Sequence, residues 1–163
     1  MKPKMIDAHM TAAEVYAKQS SAKRLNVGCV IVKNDTIIGI GYNGMPSGWT
    51  NECEDKHYVG DAGGWLCLEE ILEQWPLEDD EGRYRLATKP EVLHAESNAL
   101  MKVARSTNSS EGATLFVTHA PCVDCSKLIH QAGIKEVYYK NDYRDFKGIN
   151  FLEKCGINVE KIT

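Results

Sequence analysis

Three absences bound this chain before any motif is read. It has no apolar run approaching the roughly 20 residues that a membrane-spanning helix needs. Its first residues, MKPKMIDAHM, lack the apolar core of a secretory leader. It has no excess of positive charge: 19 Lys and Arg stand against 23 Asp and Glu, a formal net charge of -4. The first two absences point to no membrane partner and to the cytoplasm, or to the host cytoplasm if a virus encodes the chain. The third argues against a nucleic-acid polymer, because polyanions are met by basic surfaces. It does not exclude a small anion held by a few local cations.

Cysteine is not scarce. Cys29, Cys53, Cys67, Cys122, Cys125 and Cys155 make an even count, which in a secreted chain would suggest disulfides. With no sign of secretion, they are expected to be reduced thiols. The length of 163 residues, with 43% hydrophobic and 26% charged, suits a single domain, 1–163, with its own core.

The pattern of apolar residues predicts an amphipathic helix over Met5–Ser20, with Ile6, His9, Met10, Ala13, Tyr16 and Ala17 at helical spacing. Ser20-Ser21-Ala22-Lys23-Arg24 follows as a polar, basic turn, either a solvated loop or a phosphate contact. Val27–Lys33 and Thr36–Tyr42 are β-branched segments that Asn34-Asp35 would join as a hairpin. Gly41 to Gly48 (GYNGMPSG) is a Gly/Pro-rich loop that permits close backbone approach.

Residues 51–91 are expected to be an insertion within the domain. It holds a possible helix at Trp65–Trp75, Gly60, Gly63 and Gly64, and the acidic run Glu78-Asp79-Asp80-Glu81. Cys53, His57 and Cys67 raise the question of a second, structural metal. Structural zinc takes four ligands and no fourth is evident, so they are read as loop residues with a buried Cys67.

Beyond the insertion, helices are expected at His94–Arg105, Cys122–Gly133 and Ile149–Lys154, with Gly133 as a cap. Strands are expected at Thr114–Thr118, Lys135–Lys140 and Ile157–Glu160. This order predicts an α/β fold with three α-β-α layers and a mixed sheet of about five strands, a hairpin at one side.

His94-Ala95-Glu96 and Pro121-Cys122-Val123-Asp124-Cys125 carry the chemistry. A catalytic zinc site takes three protein ligands and keeps a further position open. His94, Cys122 and Cys125 supply the three, and Glu96 is left to handle protons. His94 and Glu96, two apart, do not share a helix face, whereas Cys122 and Cys125, three apart, do. Helix N-termini carry positive partial charge that favours thiolates. Zinc lowers the pKa of water from 15.7 to about 7, and a carboxylate can shuttle the released proton to a ring nitrogen and a departing amine. The H-x-E…P-C-x-x-C pattern is the signature of zinc nucleobase deaminases, but it does not choose the heterocycle.

With the blocks VGCVIVK, IGIGYNGMPSG, HAESNAL and LFVTHAPCVDCSKLIHQAGIKEVYY in view, the chain resembles the deoxycytidylate (dCMP) deaminase family of the cytidine deaminase superfamily. The resemblance runs from about Met5 to the C-terminus and is weakest in 51–91. It implies zinc on His94, Cys122 and Cys125, Glu96 as proton shuttle, and conversion of dCMP to dUMP and ammonia, supplying the precursor of dTMP. It further implies Asn43 at the sugar, Ser20 and Tyr143 near the phosphate, and the backbone of Ala95 and Ala120 around the cytosine. Many relatives are hexamers activated by dCTP and inhibited by dTTP. That implies an effector site on Gly41, Tyr42, Asn43, Gly44, Met45 and Pro46, with Mg2+ on the effector's phosphates. Four positions depart from the family. Ala120 stands where serine usually precedes Pro-Cys, His119 stands where an apolar residue is common, Ser97 replaces leucine or methionine, and Ala22 takes the place of a cysteine that binds a second zinc in some members. The rival readings are a deaminase of another cytosine nucleoside or nucleotide, a deaminase of adenosine in tRNA, and a zinc-stabilised assembly module.

Overall fold

A computed structural model describes residues 1–60 and 65–162. Gly63 and Gly64 of the insertion lie outside the described residues. The helices are α1 (Pro3–Ala17), α2 (Leu68–Gln74), α3 (Ala95–Ala104), α4 (Val123–Gln131) and α5 (Lys147–Lys154). The strands are β1 (Gly28–Lys33), β2 (Thr36–Tyr42), β3 (Glu54–Tyr58), β4 (Leu77–Asp79), β5 (Gly82–Thr88), β6 (Thr114–His119), β7 (Glu136–Asn141) and β8 (Asn158–Lys161). Among the described residues no helix is long and apolar enough to cross a membrane.

Five strands form the central sheet in the order β2-β1-β6-β7-β8. β1 pairs antiparallel with β2 and β6, whereas β6, β7 and β8 run parallel. This is the expected mixed sheet with a hairpin at one edge. Asn34 and Asp35 make the hairpin turn with φ of 50° and 59°. Two consecutive left-handed residues match the twist of the flanking strands, and Asn and Asp tolerate that conformation.

Side chains alternate across a strand, so the sheet sends its apolar residues to two cores. Val30, Val32, Phe116 and Tyr138 pack against Met10 and Ala13 of α1. Cys29, Ile31, Leu115, Val117, Val137 and Tyr139 face the opposite way, against Ala99 and Val103 of α3, Ile129 of α4 and Leu152 of α5. The result is three layers, with α1 on one face and α3, α4 and α5 on the other. Gly133 ends α4 at φ 74°, as expected of a residue just past a helix.

Two glycines let backbone meet backbone where helices begin. A Cβ on Gly41 of β2 would lie 2.1 Å from the Ala95 carbonyl oxygen and 2.6 Å from the Ala99 nitrogen. A Cβ on Gly148 of α5 would lie 2.0 Å from the Pro121 carbonyl oxygen. The first contact seats the start of α3, and the second seats the segment leading into α4.

The insertion is more ordered than its sequence indicates. β3, β5 and β4 form a separate antiparallel sheet in that order, where only a helix was expected. The reason is legible afterwards. β3 has no buried residue, so its sequence carries no apolar alternation. The sheet is held by polar and aromatic cross-strand contacts: the Lys56–Asp79 ion pair, Tyr58 against Tyr84 at 5.6 Å, and Arg83–Glu78 at 2.9 Å. The expected Trp65–Trp75 helix shrinks to α2. Cys67 sits at its N-cap, where its N–H donates to the Glu70 carboxylate at 2.9 Å, and Trp75 leaves helical geometry at φ -128°.

Gly41→Ala should lower the melting temperature by about 2–12 °C, from an overpacking cost of about 1–3 kcal/mol in a domain of this size. Ser47→Ala, on the exposed part of the same loop, should leave it unchanged. Thermal melts of the two variants check this.

Candidate functional site

The site begins at two helix starts. His94 is the N-cap of α3, with φ -75° and ψ 152°. Cys122 is the N-cap of α4 and its sulfur accepts the Cys125 N–H at 3.5 Å. The His94 Nδ1 lies 3.6 Å from the Cys122 Sγ and 3.4 Å from the Cys125 Sγ. All three ligand atoms fall within 4.8 Å of one another. A tetrahedral zinc with its usual bond lengths needs a nitrogen–sulfur separation of about 3.6 Å, so the donor set fits that ion in spacing and in chemistry. Among the described residues no other group of three His, Cys, Asp or Glu side chains converges in this way.

Cys53, His57 and Cys67 are not brought together in such a group. Cys53, not Cys67, is the buried thiol. It packs with Ala22, Val92 and Met45, and its sulfur lies 3.4 Å from the Ser21 Oγ. Cys67 is exposed at the start of α2, and His57 is exposed on β3.

The local electrostatics favour a thiolate at the helix start. Cys122 is drawn down to about 4, first by the hydrogen bond from the Cys125 thiol and then by the His94 imidazole. Cys125 is pushed up by Cys122 and by burial, so the pair shares its charge unequally. The His94 imidazole is raised, chiefly by its hydrogen bond to Cys122. Glu96 is 4% exposed, and burial pushes its carboxyl up to about 7. Cys29, fully buried, is pushed up by burial and then by Glu96, so it stays a neutral thiol.

Neighbouring side chains brace this turn. Ser97, the departure after His94-Ala95-Glu96, donates its hydroxyl to the His94 carbonyl at 2.9 Å. Asn98 donates to the Tyr42 carbonyl at 2.9 Å. Gly44 and Leu93 exchange both backbone hydrogen bonds, at 3.1 and 2.9 Å. Asn43 accepts the Val27 N–H at 2.8 Å and donates to the Leu25 carbonyl at 2.8 Å. The GYNG stretch is thus a bracket between the Leu25–Val27 segment and the His94 turn.

A cavity of about 270 Å³ opens over the site. It is lined at the metal ligands by His94, Ala95, Glu96 and Cys122, and elsewhere by Val27, Asn43, His119 and Ala120. The Ala120 N–H is fixed by the Asn141 carbonyl at 2.8 Å. The remaining lining includes Arg24, Glu54, Thr88, Tyr143 and Arg144. Arg144 donates to the Tyr143 hydroxyl at 2.6 Å and lies 5.0 Å from that ring's centre. Among the described residues neither Arg24 nor Arg144 makes an ion pair.

Most of the expected site residues meet at this cavity. His94, Ala95, Glu96, Asn43, Ala120, Cys122 and Tyr143 line it, and Cys125 completes the ligand triangle. Ser20 does not line it: its hydroxyl accepts the Ala22 N–H at 3.2 Å. From the same basic turn the lining takes Ala22 and Arg24. Of the loop expected to hold an effector, Gly41 is packed on α3 and Met45 on the Ala22–Cys53–Val92 cluster, while Tyr42 receives Lys102 over its ring at 5.5 Å. Pro46 is half-buried. Arg144, Glu54 and Thr88 were not picked out in the sequence. Arg144 adjoins Tyr143 and could have been found from it, whereas nothing in 51–91 marks Glu54 or Thr88.

Comparison with known proteins agrees with this geometry. Residues 3–141 match the family model of the cytidine and deoxycytidylate deaminase zinc-binding region. The chain is 36% identical over 166 residues to the deoxycytidylate deaminase of Enterobacteria phage T4, covering 90% of this chain and 84% of that protein. It is 35% identical over 139 residues to the human deoxycytidylate deaminase, covering 83% of this chain and 65% of the human one. Its fold superimposes with a TM-score of 0.78 on the dCMP deaminase of the cyanophage S-TIM5, solved in complex with dCMP and dUMP, at 43% identity and 99% coverage of both chains. The chain belongs to the deoxycytidylate deaminase family of zinc-binding deaminases.

Proposed function

We propose that this chain hydrolyses the amino group from dCMP, giving dUMP and ammonia. The observation that carries the reading is one cavity that opens on a buried carboxylic acid and a zinc-type triad and is also lined by two arginines, Arg24 and Arg144. The likeness to the phage enzyme bound to dCMP and dUMP supports the same substrate.

When bound at His94, Cys122 and Cys125, zinc supplies Lewis-acid activation of water at neutral pH. The chain's own groups do the rest. Glu96 takes a proton from the attacking water and passes it to the ring nitrogen beside the amino-bearing carbon. A carbon–oxygen bond forms there. Glu96 then takes the proton of the newly formed hydroxyl and delivers it to the amine as the carbon–nitrogen bond breaks, leaving a carbonyl on the ring and releasing ammonia. Burial suits it to this work, because a carboxyl near 7 can both accept and donate a proton at neutral pH. The backbone of Ala95 and Ala120 frames the ring. Asn43, already bonded to the Leu25–Val27 segment, meets the sugar. Arg24, Arg144 and Tyr143 receive the phosphate, a role guanidinium groups suit by charge and shape.

The reading extends to regulation and assembly. The likeness of the Gly41–Pro46 loop to that of allosteric relatives supports activation by dCTP and inhibition by dTTP, with Mg2+ on the effector's phosphates, in a hexamer in the cytoplasm. Unchanged dCMP kinetics on adding either triphosphate would remove the regulatory part and leave an unregulated dCMP deaminase.

Ammonia release from dCMP, CMP and deoxycytidine, measured in parallel on zinc-replete enzyme, tests the substrate. dCMP should be preferred; preference for deoxycytidine overturns the assignment and leaves the zinc chemistry in place. Glu96→Gln should retain zinc by metal analysis and lose about 100- to 10,000-fold in turnover. Near-full turnover in that variant would rule out the shuttle. Cys122→Ala should lose the metal along with the activity.

A further inference from the structure

The inserted sheet reaches the cavity through two residues, Glu54 and Thr88, which are direct cross-strand partners on β3 and β5. Directly opposed residues project from the same face of a sheet, with Cβ atoms about 5 Å apart. Here both turn to one target, the Lys23–Arg24 turn. One Glu54 carboxylate oxygen accepts the N–H of Lys23 at 2.9 Å and the N–H of Arg24 at 3.1 Å. The Thr88 hydroxyl accepts from the Arg24 Nη1 at 3.0 Å. The pair therefore grips Arg24 at both ends: carboxylate on backbone, hydroxyl on guanidinium.

The division of labour matters for charge. Arg24 is an exposed, flexible side chain whose ordering costs conformational entropy. Thr88 fixes its head with a neutral acceptor and so leaves the positive charge unpaired. The carboxylate is spent on two backbone donors instead. Had Glu54 taken the guanidinium in a salt bridge, the cation would be neutralised before any ligand arrived.

We infer that Glu54 and Thr88 form a clamp that positions Arg24 for the substrate's phosphate, which makes the inserted sheet a specificity element for nucleotide over nucleoside. The inference rests on the reading of Arg24 as a phosphate ligand. Glu54 and Thr88 act through Arg24 and are positioning residues.

The test measures kcat and KM for dCMP, and the inhibition constant of deoxycytidine against dCMP, in Thr88→Val, Glu54→Ala and Arg24→Ala. Thr88→Val keeps a β-branched residue on the strand, and Thr88→Ser is its rescue. KM for dCMP should rise about 3- to 10-fold in Thr88→Val and in Glu54→Ala, the effect of losing one or two orienting hydrogen bonds. In both, kcat should move less than twofold and the deoxycytidine constant should stay put. Thr88→Ser should restore the KM. A parallel rise in the dCMP and deoxycytidine constants would show general support of the cavity and overturn the clamp. So would an unchanged dCMP KM in both variants while Arg24→Ala raises it, an outcome that leaves the phosphate reading standing. An unchanged KM in Arg24→Ala as well would take down both.

Discussion

One imidazole nitrogen and two sulfurs held within 4.8 Å of one another set the terms for everything else in this fold. That triangle exists because two helices begin at the same place. α3 starts at His94 and α4 at Cys122, and β6 between them carries the chain back across the molecule. Both helix starts then present donors and positive partial charge to one point. Side-chain packing alone does not bring backbones this close. The approach depends on Gly41 under the start of α3 and on Gly148 against Pro121, where any side chain would displace backbone atoms.

The cavity inherits its polarity from the same arrangement. Its metal end is built on the start of α3, where Ala95 is fully buried and Glu96 nearly so. A carboxylate in such surroundings is costly to ionise, and that cost is what moves its proton affinity toward neutrality. Arg24 and Arg144 lie on loops near the surface, where guanidinium groups remain solvated and charged. A dry floor for proton transfer and a wet, cationic rim are thus products of depth as much as of residue type.

The insertion shows how a polar segment gains a defined role. β3, β4 and β5 bury little apolar surface, yet their register places Glu54 opposite Thr88 and sets both against the Lys23–Arg24 turn. The contact ties residues more than 30 positions apart, which no local pattern announces. Asn43 does comparable work for the adjoining segment, with both ends of its amide bonded to the Leu25–Val27 backbone.

Much of the fold and the heart of the site were legible in the chain itself. The β-branched runs at Val27–Lys33 and Thr114–Thr118, the Asn34-Asp35 turn and the helical spacing of α1 each follow from local sterics and from burying one face. The metal triad and Glu96 could be read because zinc dictates ligand types and helix geometry dictates spacing. The insertion was not legible, since strands without a buried face carry no alternation, and the buried thiol proved to be Cys53 instead of Cys67. Ser20 was expected at the phosphate end; its hydroxyl accepts the Ala22 N–H, and from that turn it is Ala22 and Arg24 that line the cavity. Residue chemistry and short-range spacing are written in the sequence because they need only neighbouring atoms. Which cation faces the cavity, and what holds it there, was decided by tertiary structure, because those contacts join segments whose separation the chain does not reveal until it is folded.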